Sequence, residues 1–443
     1  MDSESGSTDV VIKSFPQGYP PLWLTFAIWG LGAVLFLIGY FHRLSPAVMT
    51  QELMIAYGIG AAGLGNLSSF YYYAYVAMQV PTGVMTDTLG PRKLLTFGAV
   101  GASLGAFLFA LSPNLLWATL GRAFIGVGVA VGFISTLKLA STWFPPQRFA
   151  LASGLSHICG VLGAVLAGAP LRLLVNSFGW RPVILVTGMI TAALAIAIWR
   201  FVRNDPSERG FASYLPSVLE PSPVGNRASL FSNLVTVFQY SNIRLLTFAA
   251  GGIVGPYLTF AGLWGVPFLK VRFGLPATQA ALICSGVMVA SAVGSPVLGG
   301  LSDWLGRRKP IYLGGFILTT ACWAVLIFVP GIPLQAFIVL MLMAGFGSGA
   351  VLIGFAYGKE SVPPHLYGTA IGIINMGAMS GPTILQPAIG AILDLMWDGQ
   401  MSGGARVYDM NAFKAGFSVM IGWAVLGCIL IGRTRDTLSR QRF

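Results

Sequence analysis

The chain has 443 residues, 55% of them hydrophobic and only 9% charged, with a formal net charge of +12. Soluble domains carry about 25% charged residues, so the composition excludes a soluble enzyme and points to a chain that lives in a bilayer. The basic residues sit in short clusters between apolar runs, as in Arg92-Lys93 and Arg307-Arg308-Lys309, which is the positive-inside pattern of a membrane protein and not a nucleic-acid-binding face.

Residues 1–21 are polar, with Asp2, Glu4 and Asp9 and no charged-then-apolar leader pattern, and are expected to form a cytoplasmic tail. Apolar runs long enough to span a bilayer follow at 22–50, 60–84, 94–112, 115–142, 149–174 and 182–201. A second set lies at 244–269, 277–301, 310–330, 334–358, 367–393 and 413–432. Between them, 203–242 is polar and rich in serine and in Pro206, Pro216, Pro221 and Pro223, the composition of a linker. The expected architecture is an all-α membrane protein of twelve helices: a six-helix bundle over 22–202, a cytoplasmic linker over 203–242, a second six-helix bundle over 243–433 and a cytoplasmic tail over 434–443. Placing both tails inside puts about 16 Lys and Arg on the cytoplasmic side and about 6 on the other. Cys159, Cys284, Cys322 and Cys428 stand alone in apolar runs and read as small core residues, with no metal or disulfide pattern.

The two sets repeat each other. Gly83-x3-Asp87-x2-Gly90-Pro91-Arg92-Lys93 returns 216 residues later as Gly299-x3-Asp303-x2-Gly306-Arg307-Arg308-Lys309, and Pro145-Pro146 returns as Pro363-Pro364 at an offset of 218. An internal repeat of this length is a common layout of secondary transporters.

On these paired loops, on Gly121-Arg122 early in the fourth helix and on the whole-chain layout, the sequence resembles the major facilitator superfamily. Residues 36–150 are most similar to its anion–cation symporter type. That type carries Tyr-x-x-Arg on the first helix, here Tyr40 to Arg43, and Tyr-x3-Gln-x-Pro-x-Gly on the second, here Tyr75 to Gly83. Organic-phosphate exchangers share the first-helix arginine. Two departures count against conventional proton coupling: His42 replaces the usual acid before that arginine, and Val129 replaces a fourth-helix carboxylate.

Arg43 is the sharpest candidate for a substrate contact. Apolar residues flank it from Leu35 to Met49, and an intramembrane charge normally serves a pathway or a partner. The plainer reading is an arginine snorkelling from the helix end. Tyr40 shares its face. Arg122 is either a second substrate contact or a structural cation. Tyr71, Tyr75 and Gln79 form an i, i+4, i+8 stripe on the second helix, read either as packing or, for Tyr75 and Gln79 through the resemblance, as lining. His157 and Asn375 occupy equivalent positions at the 218 offset, on helices that the resemblance places around the central cavity, and Gln386 adds a neutral hydrogen-bonding group. His42 and His157 are the candidates to carry a coupling proton. Asp87, Arg92, Lys93, Arg148, Asp303, Arg307 and Arg308 are expected to form a cytoplasmic latch, with Asp303 paired to Arg148.

The expected function is secondary active transport of a small organic anion, carboxylate or phosphate, by rocking of the two halves about a central site. Symport and exchange are both open. The setting is a bacterial-type inner membrane, the protein a monomer, with no cofactor, no metal and no enzymatic step. An exporter of drugs or siderophores with an apolar cavity, and a transporter-like ligand sensor, are the alternatives.

Overall fold

The computed structural model describes residues 18–214, 227–363 and 366–438, except for the side chains of Val80, Val84, Asp87, Ala150, 227–231 and Asn233. Most of the expected first tail, the middle of the linker and the Asp87 side chain therefore lie outside the described residues.

The first half comprises α1 (Leu22–Leu44), α2 (Thr50–Tyr57), α3 (Ala61–Leu89), α4 (Pro91–Ala110), α5 (Leu115–Ala130), α6 (Gly132–Trp143), α7 (Phe149–Leu166), α8 (Ala169–Phe178) and α9 (Trp180–Phe201). α10 (Arg227–Gln239) lies inside the expected linker. The second half comprises α11 (Ser241–Thr259), α12 (Gly265–Phe273), α13 (Ala277–Leu305), α14 (Lys309–Phe328), α15 (Leu334–Ser348), α16 (Val351–Glu360), α17 (Tyr367–Leu395) and α18 (Met410–Gly432). Several of these are pieces of one span. Among the described residues, 10 helical stretches are long and apolar enough to cross a bilayer, or up to 11 with the bent pair α2 and α3. α17, 29 residues long with Pro382 and Pro387 inside it, completes the twelve. α3 and α17 pack closely on each other. Gly65 and Gly390 let them meet: a Cβ on Gly65 would lie 2.5 Å from the Gln386 carbonyl oxygen, and one on Gly390 2.3 Å from that of Ala61.

The boundaries differ from the apolar runs where backbone chemistry intervenes. The first run stops as an α-helix at Leu44 and continues as one 3-10 turn, Ser45–Val48, around Pro46. α2 and α3 meet at a bend of 107°. Pro256 lies inside α11, and four residues on the helix passes into a π turn, Phe260–Trp264. The connection before α18 holds a two-stranded hairpin, β1 (Met401–Ser402) with β2 (Ala405–Arg406). In the repeated loops, Gly90 and Gly306 both end a helix with positive φ, +79° and +61°, a conformation that costs other residues strain. That is why both copies of the motif keep glycine there.

The halves are fastened chiefly at the end opposite the termini. Gly60, Gly65 and Gly390 abut the other half there, and a Cβ on Gly168 would sit 2.1 Å from Ser285 Oγ. A cavity of about 10 Å³, room for one water, remains between them, lined by Leu44, Ala47, Ala167, Cys284 and Ser285 among others. Toward the termini the packing thins: a Cβ on Gly83, Gly154, Gly299 or Gly300 would meet nothing within 4 Å.

Candidate functional site

Tyr40, Arg43, Tyr71 and Tyr75 come together in one cluster. The stripe on α3 is buried throughout, with Tyr71 at 0%, Tyr75 at 7% and Gln79 at 6% exposure, because that face of α3 turns into the molecule. Tyr71 and Tyr75 stack at 6.0 Å, and Tyr71 Oη donates to the Gly39 carbonyl of α1 at 2.9 Å. That bond docks α3 on α1 just where Arg43 projects.

Arg43 is 2% exposed, so it does not snorkel. Its guanidinium carbon lies 4.4 Å from the Tyr40 ring centroid, 4.8 Å from Tyr75 and 5.7 Å from Tyr71. The electron-rich ring faces ease the burial of the cation but leave its charge unneutralised. Among the described residues the ion pairs are Arg172–Glu52, Arg307–Asp436, Arg308–Asp303, Arg308–Glu360 and Arg406–Asp394, so none reaches Arg43.

Arg122 is also fully buried. Its Nη1 donates to the His42 carbonyl at 2.6 Å and Nη2 to the Ser68 carbonyl at 3.4 Å. Its guanidinium sits 5.1 Å from the Tyr71 ring, so Tyr71 has Arg43 and Arg122 both nearby. Through these bonds Arg122 ties the end of α1 to α3. His42 is 0% exposed and neither ring nitrogen has a protein partner. His157 is half-buried on α7, which packs on α1.

From the second half, Asn375 Nδ2 donates to Gln79 Oε1 at 2.7 Å, joining two candidates across the interface. Gln386 is 0% exposed with both amide atoms unpartnered. Sequence reasoning missed Tyr72, buried with a free hydroxyl. Its only signal was adjacency to the stripe.

It also missed the cross-half cap. Asp394 of α17 accepts the backbone N–H groups of Ala61 at 3.0 Å and Ala62 at 2.9 Å, the first residues of α3. A carboxylate there satisfies orphan donors and meets the positive end of the helix dipole. Tyr408 Oη at 2.6 Å and Arg406 at 3.1 Å hold the same carboxylate. Gly60 makes the approach possible, since a Cβ there would lie 2.5 Å from the carboxylate oxygens.

Comparison with known proteins decides the family. The model of the Major Facilitator Superfamily matches residues 30–385 and 246–443. The chain belongs to that superfamily. It is 24% identical over 289 residues to a probable sulfoacetate transporter of Cupriavidus necator, covering 63% of this chain and 65% of that one, just under two thirds of that relative's length. It is 24% identical over 368 residues to a probable galactarate/D-glucarate transporter of Escherichia coli, covering 76% and 81%. A crystal structure of a bacterial homologue of the human lysosomal transporter Spinster, in an inward-facing and unoccupied conformation, superposes with a TM-score of 0.71 at 17% identity, over 93% of this chain and 96% of that one. The chain is thus a multi-pass membrane transporter of the alternating-access kind, with anion transporters among its relatives.

Within the superfamily fold the repeated loops act inside each half. Arg92 donates from Nε and Nη2 to the Trp199 carbonyl at 3.1 and 2.7 Å and stacks on that indole, while its backbone N–H meets Asn204 Oδ1 at 2.9 Å. Lys93 and Arg148 are exposed. Asp303 does not pair with Arg148. It pairs with Arg308, which also binds Glu360 at 2.8 Å, because Arg308 lies one turn past Asp303 and reaches both carboxylates. Arg307 binds Asp436 at 3.1 Å.

Proposed function

We propose that this transporter moves a small organic anion, a carboxylate or phosphate, and that Arg43 holds its charge. The single observation behind this is a guanidinium 2% exposed, ringed by Tyr40, Tyr71 and Tyr75, with no carboxylate partner among the described residues. Burying a cation is expensive unless it is compensated, and a diffusible anion supplies the compensation. A planar guanidinium meets a carboxylate or phosphate with two hydrogen bonds. Relatives named for sulfoacetate and for galactarate/D-glucarate, all acids, agree with this choice.

In this reading Tyr40, Tyr75 and Gln79 line the site from the first half and Asn375 from the second, while Arg122 fixes the scaffold. Transport is symport or exchange. His157 is the better coupling candidate, because a proton on His42 would add a second uncompensated charge near Arg43 and Arg122. The protein is a monomer of the bacterial-type inner membrane, with both termini and the linker over 203–242 cytoplasmic, so the fastened end faces outward. Labelling intact cells tests that orientation: Ser402→Cys should react and Ser207→Cys should not.

The function is tested by a thermal-shift screen of the purified protein against organic anions, followed by titration of the hits. Arg43→Ala should remove the shifts while the protein still inserts and folds. Unchanged anion uptake by Arg43→Ala would remove Arg43 from the site, whereas folded wild type that neither binds nor takes up any anion would turn the reading to an exporter with an apolar cavity.

A further inference from the structure

Buried polar groups left over by the cluster around Arg43 meet at a second place, formed by both halves. Gln386 of α17 is 0% exposed, and neither Oε1 nor Nε2 has a partner, although its own carbonyl accepts the Trp264 indole at 3.1 Å. Tyr72 of α3 is 0% exposed with an unpartnered hydroxyl. They converge on Gly262 in the π turn: a Cβ there would lie 3.2 Å from Leu44 Cδ2, 3.4 Å from Gln386 Nε2 and 3.6 Å from Tyr72 Oη. Leu44 follows Arg43 directly. Thr259, one turn earlier, is also buried with its hydroxyl unpartnered.

An unpartnered buried amide or hydroxyl costs stability that an apolar side chain of the same size would not. Gln386 and Tyr72 therefore keep their polarity for something other than folding. Their chemistry says what. Glutamine offers two donors and an acceptor, tyrosine one of each, and neither is charged. A second carboxylate would use only donors and leave Gln386 Oε1 facing negative oxygen. A hydroxyl both gives and accepts, and satisfies the pair. A π turn is a frequent mark of a functional position, and glycine at 262 brings the turn's backbone close to both groups.

We propose that Gln386 and Tyr72 form a subsite that reads a neutral hydroxyl on the anion whose charge Arg43 holds, so that hydroxylated organic acids are preferred to their deoxy counterparts. This rests on the anion reading above. It is tested with matched pairs, L-tartrate against succinate and D-gluconate against hexanoate, titrated into detergent-purified protein whose folding is checked by thermal unfolding. The wild type should bind the hydroxylated member about five- to a hundredfold tighter, the worth of one or two buried hydrogen bonds. Gln386→Leu and Tyr72→Phe should each pull that ratio toward one, while Arg43→Lys weakens both members alike. Tyr72→Phe removes one oxygen atom only and carries the test if Gln386→Leu does not fold. A wild-type ratio near one, or a ratio unchanged in both variants, overturns the subsite but leaves the anion reading standing. Folded wild type that binds no member of either pair counts against the anion reading, and the subsite falls with it.

Discussion

In the first half, the loop between α3 and α4 is held by a neutral group: Asn204, just past α9, accepts the Arg92 N–H at 2.9 Å. In the second half the equivalent loop, 216 residues on, is held by carboxylates. Asp436, just past α18, accepts the N–H groups of Arg308 and Lys309 at 3.2 and 3.3 Å and pairs with Arg307. Arg92 reaches the Trp199 carbonyl, and Lys309 Nζ in the same way reaches those of Gly432 and Thr434. The interior reverses this assignment. Arg43 and Arg122, the buried cations among the described residues, both belong to the first half, whereas the second contributes the neutral Asn375 and Gln386. Outside the repeated motif itself, the halves therefore share backbone geometry and not charge. Charge at a loop beside water is cheap; charge in the core must be compensated. An anion would accordingly be held electrostatically by one half and by neutral hydrogen bonds from the other.

The largest expected effect breaks the interior side of this contrast. Arg43→Ala should lower anion affinity by about 2–5 kcal/mol, the cost of losing a desolvated charge partner, measured by calorimetric titration. Arg43→Lys keeps the charge but loses the fork and should fall within the same range. Full affinity in Arg43→Lys would mean that charge alone suffices. Asn375→Ala, on the neutral half, should cost less, about 1 kcal/mol for one hydrogen bond.

Next comes the fastening between the halves. Asp394→Asn keeps the shape but removes the charge that caps α3. It should weaken the closed far end by about 1–2 kcal/mol. The native Cys284, 3% exposed and lining the far-end cavity, reports on it. With the other cysteines replaced by serine, its reaction with a membrane-permeant thiol reagent should speed up by about tenfold, the equivalent of 1.4 kcal/mol. An unchanged rate would mean that the apolar packing at Gly65 and Gly390 closes that end by itself.

What was legible in the sequence follows from range. The spans were legible because a bilayer forces about 20 apolar residues on each. The stripe on α3 and the face of Arg43 were legible because i, i+4 spacing fixes neighbours within one helix. The cap from Asp394 to Ala61 joins residues 333 apart, and no local pattern announces it. Arg308 lies five residues from Asp303, beyond the Gly306 that ends α13 with positive φ, so regular helical spacing does not announce the pair. Arg122 and Arg43 are alike in burial and in the sequence; that Arg122 donates to the carbonyls of His42 and Ser68 is visible only in the fold.

The charged staple should carry a pH signature. Burial alone would raise the Asp436 carboxyl, but hydrogen bonds from Lys309, Arg307, Leu438 and Arg308 outweigh it and hold the group below its ordinary value of 3.8. A depressed carboxyl contributes stability that is full above the ordinary value and is lost as pH falls through the lower folded one. Asp436→Asn should thus lower the thermal midpoint at neutral pH by the equivalent of about 1 kcal/mol. The gap from wild type should begin to narrow below about pH 3.8 and close as the folded carboxyl itself takes up a proton. A gap that does not narrow at all on acidification would mean that the carboxylate acts by shape and not by charge.

The smallest effect is the mirror of that one. Asn204→Ala removes a neutral cap, so the Arg92 N–H loses its acceptor and the bond at 2.9 Å is gone. The expected loss is about 0.5–1 kcal/mol, in the range for an N-terminal cap in a partly solvated loop. Neither partner titrates, so the loss should stay the same from pH 7 to about pH 3 and should be indifferent to salt, unlike that of Asp436→Asn. Asn204→Asp sharpens the contrast further. It places a carboxylate where the second half already has one, beside the Arg92 N–H and at the start of α4, where the helix dipole favours a negative charge. That variant should match or exceed wild-type stability at neutral pH and lose the gain on acidification, giving the first half the pH response of the second. Thermal unfolding in detergent across that pH range measures all three variants together. A flat response in Asn204→Asp would show that the first-half loop excludes a carboxylate geometrically, and the equivalence of the two staples would then stop at the backbone.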